Sequence, residues 1–142
     1  MKKVLLIVIG CFLLVGCGKK ELDLEAVKTK LADSEVYGEL KSLSSDTINN
    51  LYGIDSSLAE EFLYQESVDS NNADLYLIVK VKDEKIKQQI SDRLDHLETL
   101  CEMYNVKNAQ KVRDRLETTY GDYHIYIISD NNEKVLKEIK KS

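Results

Sequence analysis

The 142-residue chain has no proline and no tryptophan, and it holds only two phenylalanines, two histidines and three cysteines. With no proline and six glycines, no proline-rich or glycine-rich spacer divides it, and it shows neither an internal repeat nor a low-complexity linker. There is no Gly-rich phosphate loop, no His-Glu-x-x-His pair and no Gly-x-Ser-x-Gly elbow. Basic residues are also in short supply, 20 against 25 acids. An acidic chain without a basic stripe argues against nucleic acid as a partner, and against flat docking on anionic lipid. Nothing in the pattern calls for a cofactor or a metal.

No apolar run reaches the roughly 20 residues needed to cross a bilayer. The longest, Val4 to Gly16, follows Met1-Lys2-Lys3 and stops at Gly18-Lys19-Lys20-Glu21. A charged start, an apolar stretch of roughly 13 residues and a polar boundary are the parts of a signal peptide. The stretch ends Leu14-Val15-Gly16-Cys17, which has the form of the bacterial lipobox. In that chemistry a diacylglyceryl group is attached to the thiol and the chain is cut just before it. The expectation is a signal peptide over residues 1–16, a lipidated Cys17 with a short tether over 17–22, and a single domain over 23–142.

Two acyl chains on one cysteine are enough for stable anchoring, where one is marginal. A tether of about five residues reaches less than roughly 20 Å, so the domain is expected close to the outer face of the cytoplasmic membrane. Removal of the signal takes two lysines and no acid, leaving 18 basic residues against 25 acids, a net charge of −7. Cys11 leaves with it, and with Cys17 lipidated, Cys101 is the remaining thiol. No intramolecular disulfide is then available, although an exported location would permit one. Eight tyrosines suit many half-buried positions, ring inside and hydroxyl at the water edge.

Periodicity predicts a helix over about 23–32, capped by Asp23, and a short helix over 46–52 with Ser45 as cap and Gly53 as its stop. A strand is expected over 62–66, a turn over 69–72 and a stronger strand over 73–81. One face of that strand carries Leu75, Leu77, Val79 and Val81; the other carries Asp74, Tyr76, Ile78 and Lys80. Asp83 opens a long helix whose stripe runs Ile86, Ile90, Leu94, Leu97, Cys101 and Tyr104. A further helix is expected over 106–118, a third strand over 123–128, and a last helix holding Val135, Leu136 and Ile139. The order ααββααβα predicts an α+β domain, with a small, mainly antiparallel sheet of about three strands and helices on one face.

The lipobox, the segment Leu51-Tyr52-Gly53-Ile54-Asp55, the helix start Lys82-Asp83-Glu84 and the late strand ending Ile128-Ser129-Asp130 together resemble a family of small lipoproteins from clostridia and related Gram-positive bacteria, described only as a domain of unknown function. The likeness covers nearly all of the mature chain. It implies location and fold, and it brings no activity, so no catalytic residue is carried over.

Tyr52-Gly53-Ile54-Asp55 has the form of a ligand-contacting turn, and equally of a helix stop with a core plug and a cap. Asp92 with His96 has metal-ligand spacing on a helix, beside Asp95 and Glu98. Both lie off the apolar stripe, with Arg93 between them, as on a solvated charged face. His124 is a candidate general base, but no sequence neighbour supplies the carboxylate or nucleophile that role needs. Cys101 sits on the apolar stripe, a packing position. The leading expectation is a non-enzymatic binding or interaction module. Its surface would be the less apolar sheet face, with Tyr76, Ile78, His124 and Tyr126, and its partner an envelope protein, a cell-wall component or a small solute. The alternatives are a hydrolase-like envelope enzyme using scattered acids and His124, and a structural accessory subunit that binds protein alone. Oligomeric state is not legible in the sequence.

Overall fold

Each helix begins where a polar side chain takes up free backbone N–H groups. Asp23 accepts the Ala26 N–H at 3.0 Å and starts α1 (Leu24–Asp33). Ser44, one residue before the expected cap, accepts the Thr47 N–H and starts α2 (Ser45–Tyr52). Asp83 accepts the Lys85 N–H at 3.0 Å, at the start of α3 (Lys85–Tyr104). Asn105 and Asn131 open α4 (Val106–Arg113) and α5 (Asn132–Lys140) in the same way. These contacts satisfy donors that a helix cannot satisfy for itself.

The computed structural model describes residues 20–142. The expected signal segment, with Leu14, Val15, Gly16 and Cys17, lies outside the described residues.

The fold is α+β, with five α-helices as expected and five strands where about three were expected. The strands are β1 (Leu40–Ser42), β2 (Ala59–Ser67), β3 (Leu75–Val81), β4 (Leu116–Tyr120) and β5 (Tyr123–Ile128). They form one antiparallel sheet in the order β1-β2-β3-β5-β4. The two unforeseen strands are the edges. β1 has three residues, too few for a period to show. β4 occupies ground assigned to the helix over 106–118, which instead ends at Arg113. Leu116, Thr118 and Tyr120 turn toward one face and Glu117 and Thr119 toward the other, a period of two rich in threonine that suits a strand.

Helices cover both faces of the sheet, which corrects the one-sided expectation. On one face Tyr76, Ile78, Tyr123, Ile125 and Ile127 pack under Val27 and Leu31 of α1 and Val135, Leu136 and Ile139 of α5. On the other, Leu75, Leu77, Val79, Tyr126 and Ile128 pack under Ile48 of α2, Ile86, Ile90 and Leu94 of α3, and Val112 of α4. The α3 stripe is buried only as far as Leu94. Leu97 and Cys101 are half-covered, and Tyr104 is 82% exposed because the helix runs past the sheet.

The chain reaches the sheet at the β4–β5 turn. Lys20 lays its ammonium 5.0 Å from the centre of the Tyr120 ring. Gly121 sits in that turn at φ +59°, and a β-carbon there would stand 2.7 Å from the Lys20 carbonyl oxygen. Lys80, at the same end, pairs with Glu21 and Glu61 at 3.5 Å each. Gly121→Ala is therefore expected to cost at least about 1–2 kcal/mol from the left-handed backbone alone. Gly38, with open space around it, should tolerate alanine within about 0.5 kcal/mol. Urea unfolding of the two variants checks both figures.

Candidate functional site

At the other end of the sheet, the β2–β3 hairpin, β1, α2 and α3 enclose a cleft of about 300 Å³. Gly53 ends α2 in the left-handed conformation at φ +67°, so Tyr52 is the last helical residue and its ring lies at the mouth of the cleft. The Tyr52 hydroxyl donates to Glu66 on β2 at 2.9 Å. Tyr64, two residues before Glu66 and on the same strand face, donates to the same carboxylate oxygen at 2.9 Å. Lys41 of β1 approaches Glu66 at 3.7 Å from the rim. Burial, and after it the hydrogen bond to Glu66 and its charge, raise the Tyr52 phenol above its ordinary range, with Arg93 opposing. Burial also raises the Tyr64 phenol, against the pull of Arg93 and with the Glu66 charge adding to it. Both phenols thus stay protonated, and both donate to Glu66.

Arg93 comes from α3. It lies seven residues after Ile86 and three after Ile90, on the border of the apolar stripe, and is half-buried in the lining of the cleft. Its guanidinium carbon stands 3.7 Å from the centre of the Tyr52 ring, a stacked cation–π contact. Its Nε is buried with no hydrogen-bond partner among the described residues. Behind this pair, Asp74 (side chain 6% exposed) meets Lys111 of α4 at 2.8 Å. Lys111 reaches Asp130 at 3.1 Å and Asn72 at 3.1 Å, so one ammonium ties α4 to the hairpin turn and to the end of β5.

The residues singled out from sequence fall elsewhere or take other parts. Tyr76 and Ile78 are fully buried under α1 and α5, while His124 and Tyr126 lie on the opposite face of the sheet. The four do not share a surface, because their strands are neighbours whose registers place Tyr76 opposite Ile127 and Val79 opposite His124. His124 borders a shallow polar depression with Glu60, Lys80, Glu84 and Asp122, at the end of the sheet near Lys20. Partial burial first, then the Lys87 charge, hold its imidazole below the ordinary value, with Glu84 opposing.

On α3, Asp92 accepts from Gln88 at 2.7 Å. Asp95 pairs with Arg115 at 2.8 Å and Glu98 with Arg113 at 2.9 Å. Among the described residues no three His, Cys, Asp or Glu side chains gather as metal ligands would. Burial raises the Cys101 thiol, with Arg93 opposing, so the nucleophilic thiolate is disfavoured. Ile54 is a buried core plug and Asp55 accepts from the Ser57 N–H at 3.0 Å, the helix-stop reading of that segment. Tyr52, the first residue of the segment, is the one that lines the cleft. Arg93, Lys41, Tyr64 and Glu66 were not singled out. The one available signal was the border position of Arg93 on the α3 stripe.

The geometry defines an α+β domain with a five-stranded antiparallel sheet between two helical layers and a mixed-charge cleft at one end. The chain belongs to the family described as a domain of unknown function, DUF4358, whose model matches residues 32–129. No curated protein and no solved structure matches it.

Two outcomes follow from these contacts. Lys111→Met would leave Asp74 buried without its cation and is expected to cost about 3–5 kcal/mol, read by denaturant unfolding at pH 7. For His124, the folded-state pKa is depressed, so the neutral ring is favoured by folding. Its contribution is fully present above the unfolded value of roughly 6.5 and declines as pH falls from there toward the folded value. His124→Gln should flatten the stability profile in that window and leave it unchanged above pH 7.

Proposed function

We propose that the protein is a lipid-anchored, extracytoplasmic binding module of the cell envelope, and that the Arg93–Tyr52–Glu66 cleft is its ligand surface. The single observation that carries this reading is polarity along the sheet. The chain enters at the β4–β5 turn, beside Gly121 and Tyr120. The cleft is at the Leu75 end of β3, and the β3–β5 register runs six residue pairs between Lys80–Tyr123 and Leu75–Ile128. Six pairs are five steps, so at about 3.4 Å per residue the cleft stands roughly 17 Å along the strands from the tether. A chain anchored through Cys17 would carry the cleft away from the bilayer, facing envelope proteins, wall material or solutes. The signal-like start and the lipobox at Leu14-Val15-Gly16-Cys17 support the location. The resemblance to Gram-positive lipoproteins supports the outer face of the cytoplasmic membrane.

Cells fed an alkynyl fatty acid should label the wild-type protein in the membrane fraction and leave Cys17→Ser unlabelled; equal labelling of both would overturn the anchor. For the cleft, a photo-crosslinking residue at Ser70, on the rim, is expected to give a discrete adduct in cells. The same residue at Lys134 on α5 should not, and equal adducts from both positions would sink the assignment of the cleft.

A further inference from the structure

Arg93 is alone among the arginines of this chain in lacking a carboxylate partner among the described residues. Arg113 meets Glu98 at 2.9 Å and Glu102 at 2.8 Å. Arg115 meets Asp95 and Glu117 at 2.8 Å each. In a chain with 25 acids the reason is not scarcity. Of the acids that line the cleft, Glu66 is committed to two phenols and Lys41, Asp74 to Lys111 and Asn72, and Asp69 accepts the Asn71 N–H in the hairpin turn. What positions the guanidinium is the face of Tyr52, with a desolvated Nε that finds no acceptor. A buried charged donor without a partner is costly and rare in folded proteins.

We propose that the cleft binds a small solute through an oxyanion, a carboxylate or a phosphate, taken up by the guanidinium of Arg93; this rests on the reading of the cleft as the ligand surface. Stacking holds the planar fork in place before the ligand arrives, so little side-chain freedom is lost on binding. A carboxylate or phosphate matches that fork with two parallel, charge-assisted hydrogen bonds. Lys41 at the rim, paired at 3.7 Å with Glu66, offsets that carboxylate's charge beside the guanidinium. Leu97, Val68 and Ala73 line the apolar side, and about 300 Å³ suits a small molecule. The guanidinium lines the cleft and has no carboxylate partner among the described residues, so the group missing from the site is an acceptor for its outer nitrogens.

The test uses the full chain in detergent micelles, titrated separately with inorganic phosphate and with acetate. Ionic strength is held constant with sodium chloride, and the Arg93 Nε–H resonance is followed by NMR. The expected result is a saturable shift with one or both anions and none with chloride alone. Arg93→Lys, which keeps the charge and loses the fork, should weaken the affinity roughly tenfold as judged from tyrosine fluorescence. Lys41→Gln, on the exposed rim, should weaken it less, and it keeps the test open if the Arg93 variant does not fold. A response to phosphate alone or to acetate alone supports the site and names the group. No saturable shift with either anion, or undiminished affinity in a folded Arg93→Lys variant, overturns the proposal. An adduct at Ser70 in cells together with no anion response would reject the oxyanion and leave the cleft standing. Loss of both would remove the cleft itself.

Discussion

The burial of β3 and β5 on both faces is the constraint from which the rest of this structure follows. From Leu75 to Val79 no residue of β3 is more than 1% exposed, and β5 from Ile125 to Ile128 is nearly as dry. A strand pair of that kind cannot leave one face to water, so each face must be roofed by helices. α1 and α5 supply one roof, and α2, α3 and α4 the other. With both faces closed, the surfaces left for recognition are the ends of the sheet and its edges. The edges are managed by brevity on one side, where β1 has three residues, and by polar residues on the other, where Glu117 and Thr119 face outward on β4. The ends remain, and polar depressions with cationic side chains lie at both, one around Arg93 and another around Lys80 and His124.

Electrostatics divides those ends. An acidic chain has few cations, and most of those at the sheet ends are placed between several acids. Lys80 gathers Glu21, Glu60 and Glu61, which fastens the incoming chain to the end of β3. Lys111 gathers Asp74 and Asp130. Arg113 and Arg115 knit the α4–β4 connection to the flank of α3 through Asp95, Glu98 and Glu102. Partly exposed pairs of this sort contribute modestly one by one, but Asp74–Lys111 is withdrawn from water and its two members depend on one another. Arg93 departs from this pattern. Two phenols and Lys41 occupy the nearest carboxylate, and the guanidinium rests on an aromatic face instead.

Much of the fold was legible because the long elements carry clean periods. All five helices, the strands β2, β3 and β5, and the stop at Gly53 could be read from apolar spacing and capping residues. The second buried face could not. Along β3 the alternate residues Asp74, Tyr76, Ile78 and Lys80 read as half polar, yet the polar members sit at the strand's two ends, where Lys111 neutralises one and three glutamates surround the other. The central Tyr76 is stacked on Tyr37 at 5.7 Å, from a segment with no regular period at all. Placing His124 on one face with Tyr76 failed for a related reason: faces in a sheet depend on register between strands, which local alternation does not contain. The cleft was hidden for the same cause. Its residues come from β1, α2, β2, α3 and the β2–β3 turn, and only the topology brings them together.

The two ends also differ in what they leave unsatisfied. Around Lys80 the ion pairs close on themselves: the ammonium meets Glu21 and Glu61, and the Tyr123 hydroxyl lies 3.1 Å from both oxygens of Glu61. Such a network holds a chain in place and offers little to a newcomer. Around Arg93 the acids are equally well served, and the surplus is a donor. A site with an excess donor, a stacked aromatic and an apolar wall discriminates by charge and shape together, since a neutral ligand leaves the guanidinium unmatched and a bulky one does not fit. The end of the sheet that fastens the chain is therefore saturated, and the end remote from it is the one built with a partner missing.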